Sequence, residues 1–191
     1  MTNRIIASSI SHLQRPGQQT ALCYSIALFL IIMLAIIPFS PAQAKPRTDF
    51  PLLNINAGET NILDNTGHSQ RYGLEYRFKS FAGPYGFRLI PSVGAAASNN
   101  NAYFIYTDLR HDFYMNDQWL LTPSFGIGLF RNGDNFNLGD NKEFRSGIEL
   151  AYRFDNDYRA GLALFHISNG GLSSRNPGTE VLVFSVSIPI K

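Results

Sequence analysis

The sequence predicts an all-β fold, an eight-stranded antiparallel transmembrane β-barrel that follows a cleaved signal peptide. Three observations predict it. Segments of about ten residues alternate apolar with small or charged side chains, roughly the length a tilted strand needs to cross a bilayer. Their connections alternate between short and often longer stretches, as periplasmic turns and outer loops should. Aromatic residues, among them Tyr72, Phe78, Tyr103, Phe113, Tyr114, Trp119, Phe154 and Tyr158, gather near the segment ends, where interfacial girdles form. A water-soluble lipocalin-like barrel is the competing arrangement, with its apolar face turned inward and its charged face outward.

The first element is the export signal. Residues 1–44 carry Arg4 and Arg15 and no acidic residue, then an apolar run over 21–39, then small residues at Ala42 and Ala44. That order is a secretory signal peptide cleaved after Ala44, which leaves residues 45–191 as the barrel domain. The apolar run is long for a signal, so a retained transmembrane anchor is the structural rival; Pro38 and the A-x-A tail favour cleavage. The full chain has 16 basic and 14 acidic residues, a formal charge of +2. Loss of Arg4 and Arg15 makes the mature chain formally neutral, so the basic balance is no argument for a nucleic-acid partner. The only cysteine, Cys23, leaves with the signal. Stability must then come from packing or sheet closure, because no disulfide can form.

Eight strands follow, expected over 51–59, 70–81, 86–97, 102–113, 119–130, 142–154, 158–168 and 179–190. The second is the clearest. Tyr72, Leu74, Tyr76 and Phe78 share one face, and Arg71, Gly73, Glu75, Arg77 and Lys79 the other. In the fifth, Trp119, Leu121, Phe125, Ile127 and Leu129 oppose Thr122, Ser124, Gly126 and Gly128. The sixth sets Phe144, Ile148, Leu150, Tyr152 and Phe154 against Glu143, Arg145, Glu149 and Arg153. In a membrane barrel the apolar set faces lipid, and small or charged residues fill the interior. Glu75, Arg77, Glu149 and Arg153 are therefore expected to form a charged interior network.

The last hairpin carries the candidate chemistry. In the seventh strand His166 and Ser168 share the lipid-facing parity of Tyr158, Ala160, Leu162 and Leu164. In the eighth, Glu180 shares that of Leu182, Phe184, Val186, Ile188 and Ile190. A hairpin symmetric about Ser173 sets His166 directly opposite Glu180, with Cβ atoms roughly 4.5–5.5 Å apart. Ser168 lies two residues along the same face, and a one-residue slip would destroy the arrangement. Ser173 and Ser174 fall in the loop and are not nucleophile candidates. Serine, histidine and glutamate so placed suit ester hydrolysis. Glu180 would orient the imidazole, His166 would act as general base and acid, and Ser168 would attack the acyl carbonyl. Asn169 and the backbone of the "NGG" turn, Gly171 included, would stabilise the oxyanion.

The pattern His-x-Ser-Asn-x-Gly, with a glutamate twelve residues after the serine, resembles the outer-membrane lipid A 3-O-deacylases of the PagL type. Here it reads His166, Ser168, Asn169, Gly171 and Glu180. The resemblance implies hydrolysis of the 3-position acyl ester of lipid A (lipopolysaccharide), release of a 3-hydroxy fatty acid, and a Ser–His–Glu triad with no metal or other cofactor. It also implies an outer-membrane location, with lipid A and membrane lipids as partners; a homodimer stays open. An outward-facing site suits a substrate that can arrive laterally in the outer leaflet. A non-enzymatic structural or adhesion barrel, or a lipid acyltransferase, would fit the same strand plan. The chain departs from the usual pattern in ending "SIPIK" and not on an aromatic residue. His68 and His111 read as structural. Asp134 and Asp140 hint at calcium, but their order is not that of an EF-hand loop.

Overall fold

The computed structural model describes residues 49–63 and 67–191; the expected signal peptide over 1–44 lies outside the described residues. Eight long strands follow in order: β1 (Leu52–Thr60), β2 (Ser69–Arg77), β3 (Arg88–Ser98), β4 (Tyr103–Arg110), β5 (Trp119–Arg131), β6 (Lys142–Arg153), β7 (Arg159–Ser168) and β8 (Thr179–Pro189). Each pairs antiparallel with the next. β8 pairs back onto β1, from Leu52↔Pro189 to Thr60↔Val181, so the sheet closes on itself. Closure satisfies the ladder's backbone groups without water, which is the requirement for strands to cross a bilayer.

Two strands are shorter than the alternation suggests. The expected 70–81 strand leaves its ladder after Arg77, and only Phe81–Ala82 pair again, with β3. Here Asp49 Oδ2 accepts from both the backbone N–H and the hydroxyl of Ser80, at 2.8 and 2.7 Å. The expected 102–113 strand breaks after Arg110, and Phe113–Tyr114 turn back onto β5. Asp112 sits at that break, accepting from Thr122 Oγ1 at 2.8 Å and from Arg159 at 2.6 Å. At the first break a carboxylate takes a backbone N–H, and at the second it ties to side chains of β5 and β7; alternation alone registers neither.

The faces divide as expected for a membrane barrel. Ile55, Leu74, Ile105, Phe125, Leu129, Leu162 and Phe184 are exposed on the outer wall, while Glu75, Asp108, Arg110, Arg145 and Glu149 are buried. Arg77 donates to Glu75 and to Glu149, each at 2.7 Å, and Arg110 donates to Glu75 at 2.8 Å. Arg145 pairs with Asp108, and its guanidinium lies over Phe165 at 3.5 Å and Tyr106 at 4.2 Å. Charges taken from water are tolerable only when paired in this way. Arg153 is a correction to the expected network. It stands at the turn between β6 and β7 and pairs with Asp157, which Lys191 also approaches at 3.2 Å. The Arg153 hydrogen bond holds the Asp157 carboxyl below its ordinary range.

The interior is not uniformly polar. Toward the end carrying the 132–141 and 169–178 loops it is capped by Phe104, Tyr106, Phe130, Leu138, Phe165, Ile167, Val181 and Val183. This apolar layer lies directly behind the β7–β8 hairpin and braces its inner face.

Candidate active site

The β7–β8 ladder has the register that hairpin symmetry predicts: Glu180 pairs with His166, and Thr179 with Ile167. Alternation sends Phe165, Ile167, Val181 and Val183 into the buried core and leaves His166, Ser168 and Glu180 on the opposite, outward wall. His166 Nδ1 lies 3.1 Å from Glu180 Oε1, with both side chains about one-fifth exposed. That distance suits an Nδ1–H donating to the carboxylate, which would leave Nε2 free to accept a proton. Below the pair, Leu164 and Leu182 continue the apolar wall.

Ser168 is half-buried and two residues along β7 from His166, and its hydroxyl makes no hydrogen bond among the described residues. Across the other ladder it faces Phe144 of β6, while His166 faces Ser146. Phe144 stacks on Phe125 of β5, centroids 6.0 Å apart, so an aromatic wall borders the serine on that side. Neither Ser146 nor Phe144 was singled out from sequence. The outward parity of Phe144 and Ile148 includes Ser146, but placing it beside His166 needs the β6–β7 register as well.

Asn169 and Gly171 are used differently from a free pair of oxyanion donors. Asn169 has the inward parity of Phe165 and Ile167 and is fully buried. Its Nδ2 donates to the carbonyls of Leu138 (3.1 Å) and Arg175 (2.8 Å), and its Oδ1 accepts from the Gly171 N–H at 3.0 Å. Its own N–H donates to Asn176 Oδ1 at 3.1 Å. Asn169 thus ties the two long loops to the end of β7. Gly170 and Gly171 follow with φ of 64° and 85°, a conformation that favours glycine. The Gly170 N–H donates to none of the described residues. Asn169→Ala would leave these carbonyls unsatisfied, at about 1–3 kcal/mol. It is expected to speed limited proteolysis within 169–178 and lower activity together.

The remaining polar candidates have local partners. His68 Nδ1 lies 3.3 Å from Glu59, and His111 Nδ1 lies 2.8 Å from the Arg88 carbonyl, packed edge-on to Phe87 and Phe113. Asp134 accepts from Asn101 at 2.6 Å. Asp140 accepts from the N–H groups of Asn141 and Lys142, which hold its carboxyl below the ordinary range. These carboxylates shape loops.

A sequence profile of the lipid A 3-O-deacylase (PagL) family matches residues 70–189. No curated protein sequence matches. Among solved structures, the crystal structure of the outer membrane enzyme PagL is similar at a TM-score of 0.56 and 23% identity, over 73% of this chain and 99% of that one. A structure from the de novo design of transmembrane β-barrels is similar at 0.52 and 10% identity, over 76% and 99%. Both likenesses show the barrel fold; the family assignment comes from the profile, which spans well over half of the chain. This outer-membrane β-barrel belongs to the lipid A 3-O-deacylase (PagL) family.

Proposed function

We propose that the protein hydrolyses the 3-position acyl ester of lipid A through a Ser168–His166–Glu180 triad. The observation that carries this reading is the His166–Glu180 pair on the lipid-facing wall, two residues from a serine whose hydroxyl makes no hydrogen bond among the described residues. Ser168 Oγ attacks the acyl carbonyl as its proton passes to His166 Nε2. The tetrahedral intermediate then collapses, and the sugar hydroxyl leaves with that proton. Water repeats the sequence on the acyl-serine, giving the free 3-hydroxy fatty acid and restoring the serine. Glu180 keeps Nδ1 protonated and stabilises the imidazolium formed in each half. No metal or cofactor enters these steps.

Asn169 and Gly171 remain the proposed oxyanion segment, with a division of labour. The Asn169 side chain holds the turn by accepting the Gly171 N–H, and the backbone N–H of Gly170 is the donor left for the developing charge. Glycine at both positions supports this, because the turn must bring backbone close to the reacting carbonyl. Residues 1–44 are read as the export signal that delivers the barrel.

Mass spectrometry of lipid A from cells with and without the protein tests the reading. The expected result is a species lacking one 3-hydroxyacyl group, with the free acid recovered in equal amount. Unchanged lipid A beside folded, membrane-inserted protein would sink it, and a new acylated product would reassign the enzyme as a transferase. Glu180→Gln is expected to lower kcat by about 10⁴-fold with little change in KM, less than loss of the nucleophile. Initial rates on purified lipid A in detergent would measure both.

A further inference from the structure

Gly178 precedes β8 with φ of 68°, in the region that disfavours a side chain. It lies one step beyond the Thr179↔Ile167 pair, so the ladder carries it to the position across from Ser168. A Cβ built there would stand 2.9 Å from His166 Cε1 and 3.5 Å from Nε2. The imidazole therefore leans along the wall from its own position toward the level of Ser168, and its Cε1–Nε2 edge rests over a bare Cα. Its other edge is fixed by the 3.1 Å contact between Nδ1 and Glu180. A methyl group at 178 leaves the ring two escapes: swing back from Ser168, or give up Glu180.

The same bare Cα has a second effect. On the β6 side Ser168 is walled by Phe144, whose ring lies against Gly170; a Cβ there would stand 3.1 Å from Cδ2 and Cε2. On the β8 side the space over Gly178 is taken by the His166 ring. The serine is thus flanked by the Phe144 ring on one side and by the imidazole on the other.

Building on the proposed triad, we propose that Gly178 is a positioning residue whose missing side chain lets the His166 Nε2 edge lie at the level of Ser168. Displacement of a reacting group by about 1 Å costs on the order of 10²-fold in rate. Gly178→Ala should accordingly lower kcat by about 10²-fold and slow labelling of Ser168 by a fluorophosphonate to a similar degree. The Nδ1–H proton resonance of His166, which reports the Glu180 hydrogen bond, should move or vanish.

Gly86→Ala is the control. Gly86 also has positive φ (80°), but a Cβ there meets nothing within 4 Å, and it lies in the β2–β3 turn at the other end of the barrel. It carries the backbone strain without the clash, and its kcat and His166 resonance should match wild type. If Gly178→Ala does not fold, Gly178→Asn tolerates positive φ better and presents the same Cβ. Wild-type kcat in the Gly178 variant overturns the proposal. So does a loss of kcat with Ser168 labelling and the imidazole resonance unmoved, because the damage would then lie elsewhere in the loop. Should wild-type protein fail to deacylate lipid A, the functional reading fails by itself, and the imidazole resonance still decides the role of Gly178.

Discussion

Ser168→Ala is expected to lower the rate of lipid A deacylation by about 10⁴-fold or more while the barrel stays folded. The two halves of that expectation have separate grounds. Ser168 Oγ makes no hydrogen bond among the described residues and lies on the outward wall, so its removal leaves no buried group unsatisfied. Folding, read as the heat-modifiable mobility of the barrel on a gel, should match wild type. Chemistry should collapse because the acyl-enzyme cannot form. Members of a triad act as one device, so adding His166→Ala to Ser168→Ala should cost little more than either change alone. Near-wild-type turnover in Ser168→Ala would overturn the nucleophile assignment. The ladder then names the alternative to test, Ser146, which stands across from His166 on β6.

The second large effect concerns stability. Glu75→Gln is expected to destabilise the barrel by about 3–5 kcal/mol. The carboxylate is buried and sits between Arg77 at 2.7 Å and Arg110 at 2.8 Å, with Arg145 at 3.7 Å. Neutralising it leaves three buried guanidiniums sharing Asp108 and Glu149 alone among the carboxylates that contact them. The amide keeps the shape of the side chain, so the loss reports charge and not packing. Urea unfolding in phospholipid bilayers, followed by the fluorescence of Trp119, would measure it. Glu59→Gln is the comparison. That carboxylate is half-exposed and meets only His68 at 3.3 Å among the described residues, and its loss should cost less than about 1 kcal/mol. Equal midpoints for the two variants would contradict the interior network as a source of stability.

Much of this architecture was legible from alternation because a membrane barrel imposes opposite solvents on the two faces of every strand. The His166–Glu180 pairing was legible for a further reason. The apolar runs of β7 and β8 flank the loop symmetrically, and any one-residue slip would turn Leu164 and Leu182 inward. The breaks after Arg77 and Arg110 were not legible, since Asp49 and Asp112 act through contacts distant in sequence. Arg153 has the inward parity of Glu149, yet Asp157 claims it at the turn, a competition that parity does not weigh. The inward direction of Asn169 could have been read. Extending the parity of Phe165 and Ile167 by one more step puts its side chain in the core, with its amide available to the loops and not to substrate. Ser146, Phe144 and Gly178 needed register across two ladders, which turn length and loop conformation set jointly.

The filled lumen has a consequence for the cell that carries this protein. Buried side chains from all eight strands point into the interior, mostly charged toward the short turns and mostly apolar toward the long loops, where Arg71 and Glu143 are the buried charges. At eight strands a barrel's interior is just wide enough for side chains to fill, which leaves little room for an aqueous path. Copy number can therefore rise, and the surface chemistry of the outer leaflet change with it, without opening the membrane's permeability barrier.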